Sequence, residues 1–192
     1  MSIPRPIATT RSVTGIPTGK LAVWWIVGSE IVIFGGLLAC YLLYRLKYGH
    51  WGIEAAHTNT VAGSINTFVL LTSSLFAVLA HHYAEKKQCH KAFIYLWLTI
   101  GGALTFLIVK SIEWGNEIAA GYTIGKSTFW AFYYTAAGIH AIHVIAGAVI
   151  MAILSLDVMR GRNLQRVEFI GIYWHFVDIV WIFLFPLLYI AK

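Results

Sequence analysis

The sequence predicts an all-α, polytopic membrane protein with five transmembrane helices, and three observations lead to this prediction. Hydrophobic residues make up 59% of the 192 residues, whereas only 11% are Asp, Glu, Lys or Arg. Soluble domains have about a quarter charged residues, so this chain has too little charge to cover a globular surface in water. Five apolar stretches are each long enough to cross about 30 Å of hydrocarbon, which takes roughly 20 helical residues.

The predicted spans follow a tail at residues 1–19, which contains three prolines and lacks the apolar core of a signal peptide. We interpret residues 20–192 as one membrane domain. Continuous helices are expected because unpaired backbone groups in lipid cost several kcal/mol each, and the runs are too uniformly apolar for the alternating strands of a barrel. The five spans are predicted at 21–44, 61–84, 92–112, 128–156 and 168–190.

Basic residues between the spans predict the orientation in the membrane, because cytoplasmic loops are enriched in Lys and Arg. On the side of the tail lie nine of them: Arg5, Arg11, Lys20, Lys86, Lys87, Lys91, Arg160, Arg162 and Arg166. On the other side lie four: Arg45, Lys47, Lys126 and Lys192. We therefore predict a bacterial inner-membrane protein with a cytoplasmic N-terminus and an external C-terminus. The remaining basic residue, Lys110, lies near the end of span three and is expected to extend to the outer headgroups.

The net charge of +6 is spread over these short clusters. No basic stripe with interleaved aromatic residues is present, so nucleic acid is not an expected partner.

Four ionisable residues are predicted to share one depth in the membrane. At a rise of 1.5 Å per residue, Glu30 of span one, His143 of span four, and His175 and Asp178 of span five lie between the cytoplasmic interface and the midplane. Such groups are costly in lipid and usually face a bundle interior. We predict that Glu30 hydrogen-bonds His143 as a net-neutral pair with Glu30 protonated, with His140 as the alternative partner. His175 and Asp178 are predicted to form a second pair.

Two roles are open for these pairs. They either hold the helices together by neutralising one another, or they take part in proton handling or a conformational change.

Eight histidines raise the alternative of a bound metal or haem. His140 and His143 share a helix face at i, i+3 spacing, whereas His81 and His82 are adjacent and point in different directions. No Cys-x-x-Cys-His motif occurs, and the two cysteines form no metal motif. We therefore expect no metal or haem to be bound by this chain.

Aromatic residues near the span ends are typical of the belts that lie at the membrane interface. We interpret most tryptophans, together with Tyr189, in this way. In span four, Gly138 and Gly147 predict a face for close helix contact. The residues assigned to lipid headgroups are Lys20, Trp24, Trp25, His81, His82 and Arg160.

Several strings, in one order along the chain, resemble a single family. They are KLAVWWIVGSEIVIFGGLLACYLL at 20–43, NTFVLLTSSLFAVLAHHYAE at 66–85, the Glu113-Trp114 pair, STFWAFYYTAAGIHAIHVIAG at 127–147 and YWHFVDIVWIFLFPLLY at 173–189. The last string is the most specific. Glu30, Asn66 and Glu113 fall at motif positions, so they join the four other polar residues assigned to the membrane interior: His140, His143, His175 and Asp178.

The family that these strings resemble is subunit III of the haem–copper respiratory oxidases, in its five-helix form. The resemblance implies a non-catalytic subunit of an enzyme that passes electrons from cytochrome c to oxygen, with haem and copper held by a partner subunit. It implies that the chain packs on subunit I, holds phospholipid in a cleft, and supports proton uptake. Subunit II and other respiratory-complex subunits are further implied partners.

The resemblance also implies a V-shaped arrangement of two helix bundles. Spans one and two are then expected to face the catalytic subunit, and spans three to five to form the other bundle. Lys110 departs from the family, which often has an uncharged Gln there.

Alternatives remain within and outside this family. A quinol oxidase subunit III and a homologue associated with nitric oxide reduction stay open because no span contains an electron-donor site, although the final-helix string favours cytochrome c. A different class would be a stand-alone haem-binding membrane protein or a small transporter. Transporters often show internal repeats, and the two halves of this sequence show none.

Overall fold

The structure, a computed structural model, describes residues 18–49 and 51–190, and all the secondary structure in these ranges is helical. The helices are α1 (Thr18–Tyr48), α2 (Trp51–Ala55), α3 (Thr60–Glu85), α4 (Cys89–Ala119), α5 (Thr128–Met159) and α6 (Arg166–Phe185), followed by a π-helix at Pro186–Ile190.

Five of these helices are long and apolar enough to cross a membrane, namely α1, α3, α4, α5 and the continuous helix made by α6 and the π-helix. The prediction of an all-α, five-span membrane protein is therefore confirmed, and each predicted span lies inside one of these helices. Residues 1–17 of the predicted tail lie outside the described residues, and α1 begins at Thr18.

Capping side chains and a glycine determine where several helices begin or end. The Asn59 side chain accepts a hydrogen bond from the Ala62 amide at 3.1 Å and starts α3. Ser127 accepts from the Trp130 amide at 3.4 Å and starts α5. Gly161, just after the end of α5, has φ +67°, a left-handed conformation that glycine adopts at no steric cost.

Short connections make consecutive long helices antiparallel. Here "N-terminal end" means the end of the bundle at which α1 begins, and "C-terminal end" means the end at which the π-helix ends. Contacts between helix termini define both ends: Lys20 of α1 meets Glu168 of α6 at the N-terminal end, and Glu54 of α2 meets Ser127 of α5 at the C-terminal end.

Helices α3 to α6 pack as a four-helix bundle, in which α3 contacts α4 and α6, and α5 contacts the same two helices. Helix α1 lies on the outside of this bundle and packs mainly on α6, with fewer contacts to α5. The expected grouping of spans one and two is therefore wrong. Small residues explain why α3 joins α4: a Cβ on Gly102 would lie 2.6 Å from the Ser73 Cβ, so only glycine permits this approach.

The aromatic residues divide into two groups. Trp24 and Trp25 on α1 are 57% and 80% exposed, as expected for a belt. Trp130, Trp174 and Tyr189 are fully buried in the bundle, so the belt interpretation is wrong for them. Trp174 has a specific place there, because its indole N–H donates to the Ser73 hydroxyl at 3.1 Å and its ring lies over Gly147 of the predicted small-residue face.

Candidate functional site

The central polar contact inside the predicted membrane region joins α1 to α5. The Nε2 atom of His143 lies 3.1 Å from the Oε2 atom of Glu30. This is the pairing that depth along the two helices predicts. The contact is an ion-pair distance without hydrogen-bond alignment, because Glu30 Oε2 has no hydrogen-bond partner among the described residues.

The hydrogen bond that His143 makes to the backbone indicates where this pair carries its protons. His143 Nδ1 lies 2.8 Å from the carbonyl oxygen of Ile139, which only accepts, so Nδ1 carries a proton. If Nε2 had a lone pair and Glu30 were ionised, two electron-rich atoms would face each other at 3.1 Å. One further proton, on either atom, removes this repulsion. The geometry thus favours a net-neutral pair.

The surroundings of the pair leave it partly open. The ring of Phe34 meets His143 edge-on with 5.5 Å between centroids, and the Tyr173 hydroxyl donates to the His143 carbonyl at 3.3 Å. The side chains of Glu30 and His143 nevertheless remain 16% and 18% exposed. The described residues therefore cover the pair only in part.

Two more polar contacts attach α1 near its ends. At the N-terminal end the Lys20 ammonium lies 2.7 Å from Glu168 on α6. Towards the C-terminal end the Tyr41 hydroxyl donates to the carbonyl of Leu187 in the π-helix at 2.7 Å. Together with the Glu30–His143 contact, these bonds hold α1 at three levels, which matters because α1 buries the smallest share of its surface among the five spans.

The second predicted pair is not formed. His175 Nδ1 lies 2.6 Å from the hydroxyl of Ser74 on α3, and the described residues contain no ion pair between His175 and Asp178. Asp178 is buried and also lies beside Ser74, but neither of its carboxyl oxygens has a hydrogen-bond partner in the described part of the chain. Both side chains therefore lie beside Ser74 on α3 and not against each other.

His140 and Asn66 lie fully inside the four-helix bundle. The His140 ring stacks on Trp181 with 5.1 Å between centroids and meets Phe106 edge-on at 5.4 Å. None of the side-chain nitrogen and oxygen atoms of His140 and Asn66 has a hydrogen-bond partner among the residues described. The His140 ring faces the bundle interior, whereas the His143 ring reaches Glu30 on α1. The two rings therefore do not face one common site. Within residues 18–49 and 51–190, no group of three or more His, Cys, Asp or Glu residues could hold a metal ion.

A buried charged cluster lies at the C-terminal end of the bundle, and it corrects the prediction for Lys110. Lys110 does not extend to headgroups, since it is 2% exposed and its Nζ atom lies 3.1 Å from Glu113 Oε2. Nζ also donates to the hydroxyls of Tyr133, at 2.9 Å, and Tyr189. Glu113 is thus buried as assigned, and Glu117, one turn further on, was missed. The i, i+3 spacing of Lys110 and Glu113 is the signal that indicates this pair.

The residues assigned to headgroups lie near the N-terminal end. Lys20 is paired with Glu168, and His81 Nε2 lies 3.6 Å from Glu85 Oε1. His82 is exposed and packs edge-on against Tyr83. Arg160 is the exposed residue that ends α5.

Comparisons with known proteins identify the family to which this chain is similar. The family described as cytochrome c oxidase subunit III matches residues 14–192. A "Cytochrome c oxidase subunit 3" of Thermostichus vulcanus is 34% identical over 170 residues, covering 84% of this chain and 82% of that protein. A "Probable quinol oxidase subunit 3" of Staphylococcus saprophyticus is 29% identical over 179 residues, covering 88% of this chain and 87% of that protein.

A fused relative is also similar. The "Heme-copper oxidase subunit I+III" of Aeropyrum pernix is 33% identical over 184 residues, which is 90% of this chain but only 22% of that much longer protein.

Proposed function

This chain belongs to the cytochrome c oxidase subunit III family, and we propose that it is the non-catalytic subunit III of a proton-pumping terminal oxidase that passes electrons from cytochrome c to oxygen. The observation that carries the proposal is the family match over residues 14–192. The five helices that are long and apolar enough to span a membrane agree with it. In this function the chain stabilises the catalytic subunit and supports its proton uptake. Haem and copper are held by the partner.

Subunit I is the main proposed partner. The A. pernix relative carries the names of subunits I and III in one protein, which supports a direct association of the two. We place the contact on α1 and α3, because these two spans have the smallest buried shares of the five and both present large exposed apolar side chains. On α1 these include Trp25 and Val32, which are 80% and 73% exposed, and on α3 Phe68, which is 72% exposed. Subunit II and other subunits of the respiratory complex are further proposed partners.

Phospholipid is the second proposed ligand. A groove of about 260 Å³ lies between α1, α5 and α6, and its lining is apolar except for Arg166 and the Tyr173 hydroxyl. Acyl chains fit such a lining, and a guanidinium at the membrane interface suits a phosphate headgroup. Lys20, Trp24, Trp25, His81, His82 and Arg160 are the proposed headgroup contacts at the same end of the bundle.

The proposed location is a bacterial inner membrane, with the N-terminal end of the bundle in the cytoplasm. The excess of Lys and Arg on that side supports this orientation.

A quinol oxidase is the second candidate, and the similarity to the S. saprophyticus protein supports it. The electron donor is chosen elsewhere in the complex, so one experiment addresses both candidates. The chain is tagged and purified from native membranes, and the preparation is analysed for haem, copper and oxygen consumption with reduced cytochrome c or with a quinol.

We expect haem and copper to co-purify and cytochrome c to be the better donor. Faster oxidation of the quinol would favour the second candidate. Recovery of the intact chain with no haem-containing partner would contradict the proposed function. An untagged strain controls for adventitious recovery.

A further inference from the structure

Buried charges at the C-terminal end of the bundle do not balance if every group is in its ordinary ionised form. The charged cluster contains the ammonium of Lys110 and the carboxyl groups of Glu113 and Glu117, all on α4 and all at most 6% exposed. One positive and two negative charges leave a net charge of −1 within the protein. An uncompensated buried charge is heavily penalised, so the cluster requires either a bound cation or a proton.

Every titratable group facing Glu117 takes part in this count. They are Lys110 and Glu113 on α4 and Tyr133 and Tyr134 on α5, with Tyr189 of the π-helix bonded to Lys110 and Tyr133.

The hydrogen bonds show where protons are missing. Lys110 uses its three N–H groups on Glu113 Oε2, Tyr133 and Tyr189. Tyr133 has a single hydroxyl proton, yet its oxygen lies 3.0 Å from Glu113 Oε1 and also 3.0 Å from Glu117 Oε1. One proton serves only one of these two oxygens. The other carboxyl oxygen faces the Tyr133 oxygen without a donor between them.

Tyr134 does not supply the missing proton. Its hydroxyl donates to the carbonyl of Tyr122 at 2.7 Å, and it has no second proton to donate. Glu117 Oε2 is buried and has no hydrogen-bond partner among the described residues. Glu113, by contrast, has the direct contact with Lys110.

We propose that Glu117 holds a proton, so that the chain contains a single-proton binding site at the C-terminal end of its bundle. The Glu117 acid group donates from Oε1 to the Tyr133 oxygen, which also accepts from Lys110. Tyr133 then donates its own proton to Glu113 Oε1. This arrangement brings the cluster to zero net charge and gives each of the two contacts between the Tyr133 oxygen and a carboxyl oxygen one proton. It is separate from the Glu30–His143 pair and does not depend on the electron donor of the oxidase.

The test combines infrared spectroscopy with thermal denaturation on the purified complex at neutral pH. Infrared spectroscopy detects the C=O stretch of a protonated carboxylic acid, which an ionised carboxylate lacks. In Glu117→Gln we expect the loss of one acid C=O band per chain with an unchanged melting temperature, because the Gln amide has the shape and charge of the protonated acid.

Glu113→Gln distinguishes the two carboxyl groups. Removing the Glu113 charge leaves Glu117 as the only carboxyl group beside Lys110 in the described part of the chain, so Glu117 ionises and the same band is lost. Lys110 also loses its direct partner, so the melting temperature falls. Glu85→Gln, at an exposed carboxylate on α3, is the control and should change neither measurement.

Two results would overturn the proposal. An acid C=O band of undiminished intensity in Glu117→Gln would mean that Glu117 is ionised, with a cation in place of the proton. A larger loss of stability or of assembly in Glu117→Gln than in Glu113→Gln would place the proton on Glu113 instead.

Discussion

Glu30 on α1 and His143 on α5 approach within 3.1 Å of each other although they lie 113 positions apart in the sequence. The contact links the outermost span to the bundle near the middle of α1, between the Lys20–Glu168 and Tyr41–Leu187 bonds. Because polar contacts at three levels hold α1, its position on the bundle does not rest on apolar packing alone.

Glu30→Ala should weaken the attachment of α1 to the bundle, because the Nε2 atom of His143 then loses its polar neighbour in largely apolar surroundings. Loss of one partner of a buried polar contact costs about 1–3 kcal/mol. We expect a lower melting temperature and less chain retained in the purified complex. Glu30→Gln, which keeps a polar group beside Nε2, should retain assembly and leave oxygen turnover unchanged if the pair serves only to hold the helices. Impaired proton pumping in a well-assembled Glu30→Gln complex would instead assign the pair to proton uptake.

Lys110→Met should destabilise the bundle strongly, because it leaves Glu113 buried without its counter-ion. Breaking a buried ion pair from one side costs about 3–5 kcal/mol. The double variant Lys110→Met/Glu113→Met should recover much of this loss, since two apolar side chains leave no charge unpaired. Lys126→Met, at an exposed position, is the matched control and should lie within about 0.5 kcal/mol of the parent. Equal melting temperatures for Lys110→Met and Lys126→Met would contradict the buried cluster.

Gly102→Ala tests the contact between α3 and α4. The new Cβ would lie 2.6 Å from the Ser73 Cβ, so the helices must separate, and overpacking of this kind costs about 1–3 kcal/mol. Gly101→Ala is an adjacent control, because a Cβ there meets nothing within 4 Å. It should be neutral or stabilising by up to about 1 kcal/mol through helix propensity. Thermal denaturation of the two variants measures the difference, and a ranking in the reverse order would refute the close approach.

The orientation can be measured with reporter fusions. A reporter that is active only outside the cytoplasm should work when fused after Lys192 and fail when inserted in the connection at 86–88, because the basic residues lie mainly on the side of that connection. The opposite pattern of activity would show that the chain is inserted the other way round.

Metal analysis checks the expectation that this chain binds no cofactor itself. Purified away from its partners, the chain should contain no stoichiometric iron, copper or zinc and show no Soret absorption. One equivalent of haem iron that is lost in His140→Ala or His143→Ala would show that this chain binds haem itself, and it would contradict the expectation.

The sequence by itself determined the number of spans, their order and the position of each polar residue along its helix. These properties depend on position along the chain: an apolar run of sufficient length must be helical in lipid, and a fixed rise per residue places Glu30 and His143 in one slab. That is why this contact could be predicted before any packing was known.

Only the tertiary structure decided which way each side chain points and which helices are neighbours. Spans that are apolar on all sides carry little periodic signal to mark a buried face, so Lys110 could equally have reached the headgroups, and it lies instead among Glu113, Tyr133 and Tyr189. The same lack of signal left His175 assigned to Asp178 when its partner is Ser74. The place of α3 in the four-helix bundle likewise depends on the fit of Gly102 against Ser73, a contact between helices that neither helix specifies alone.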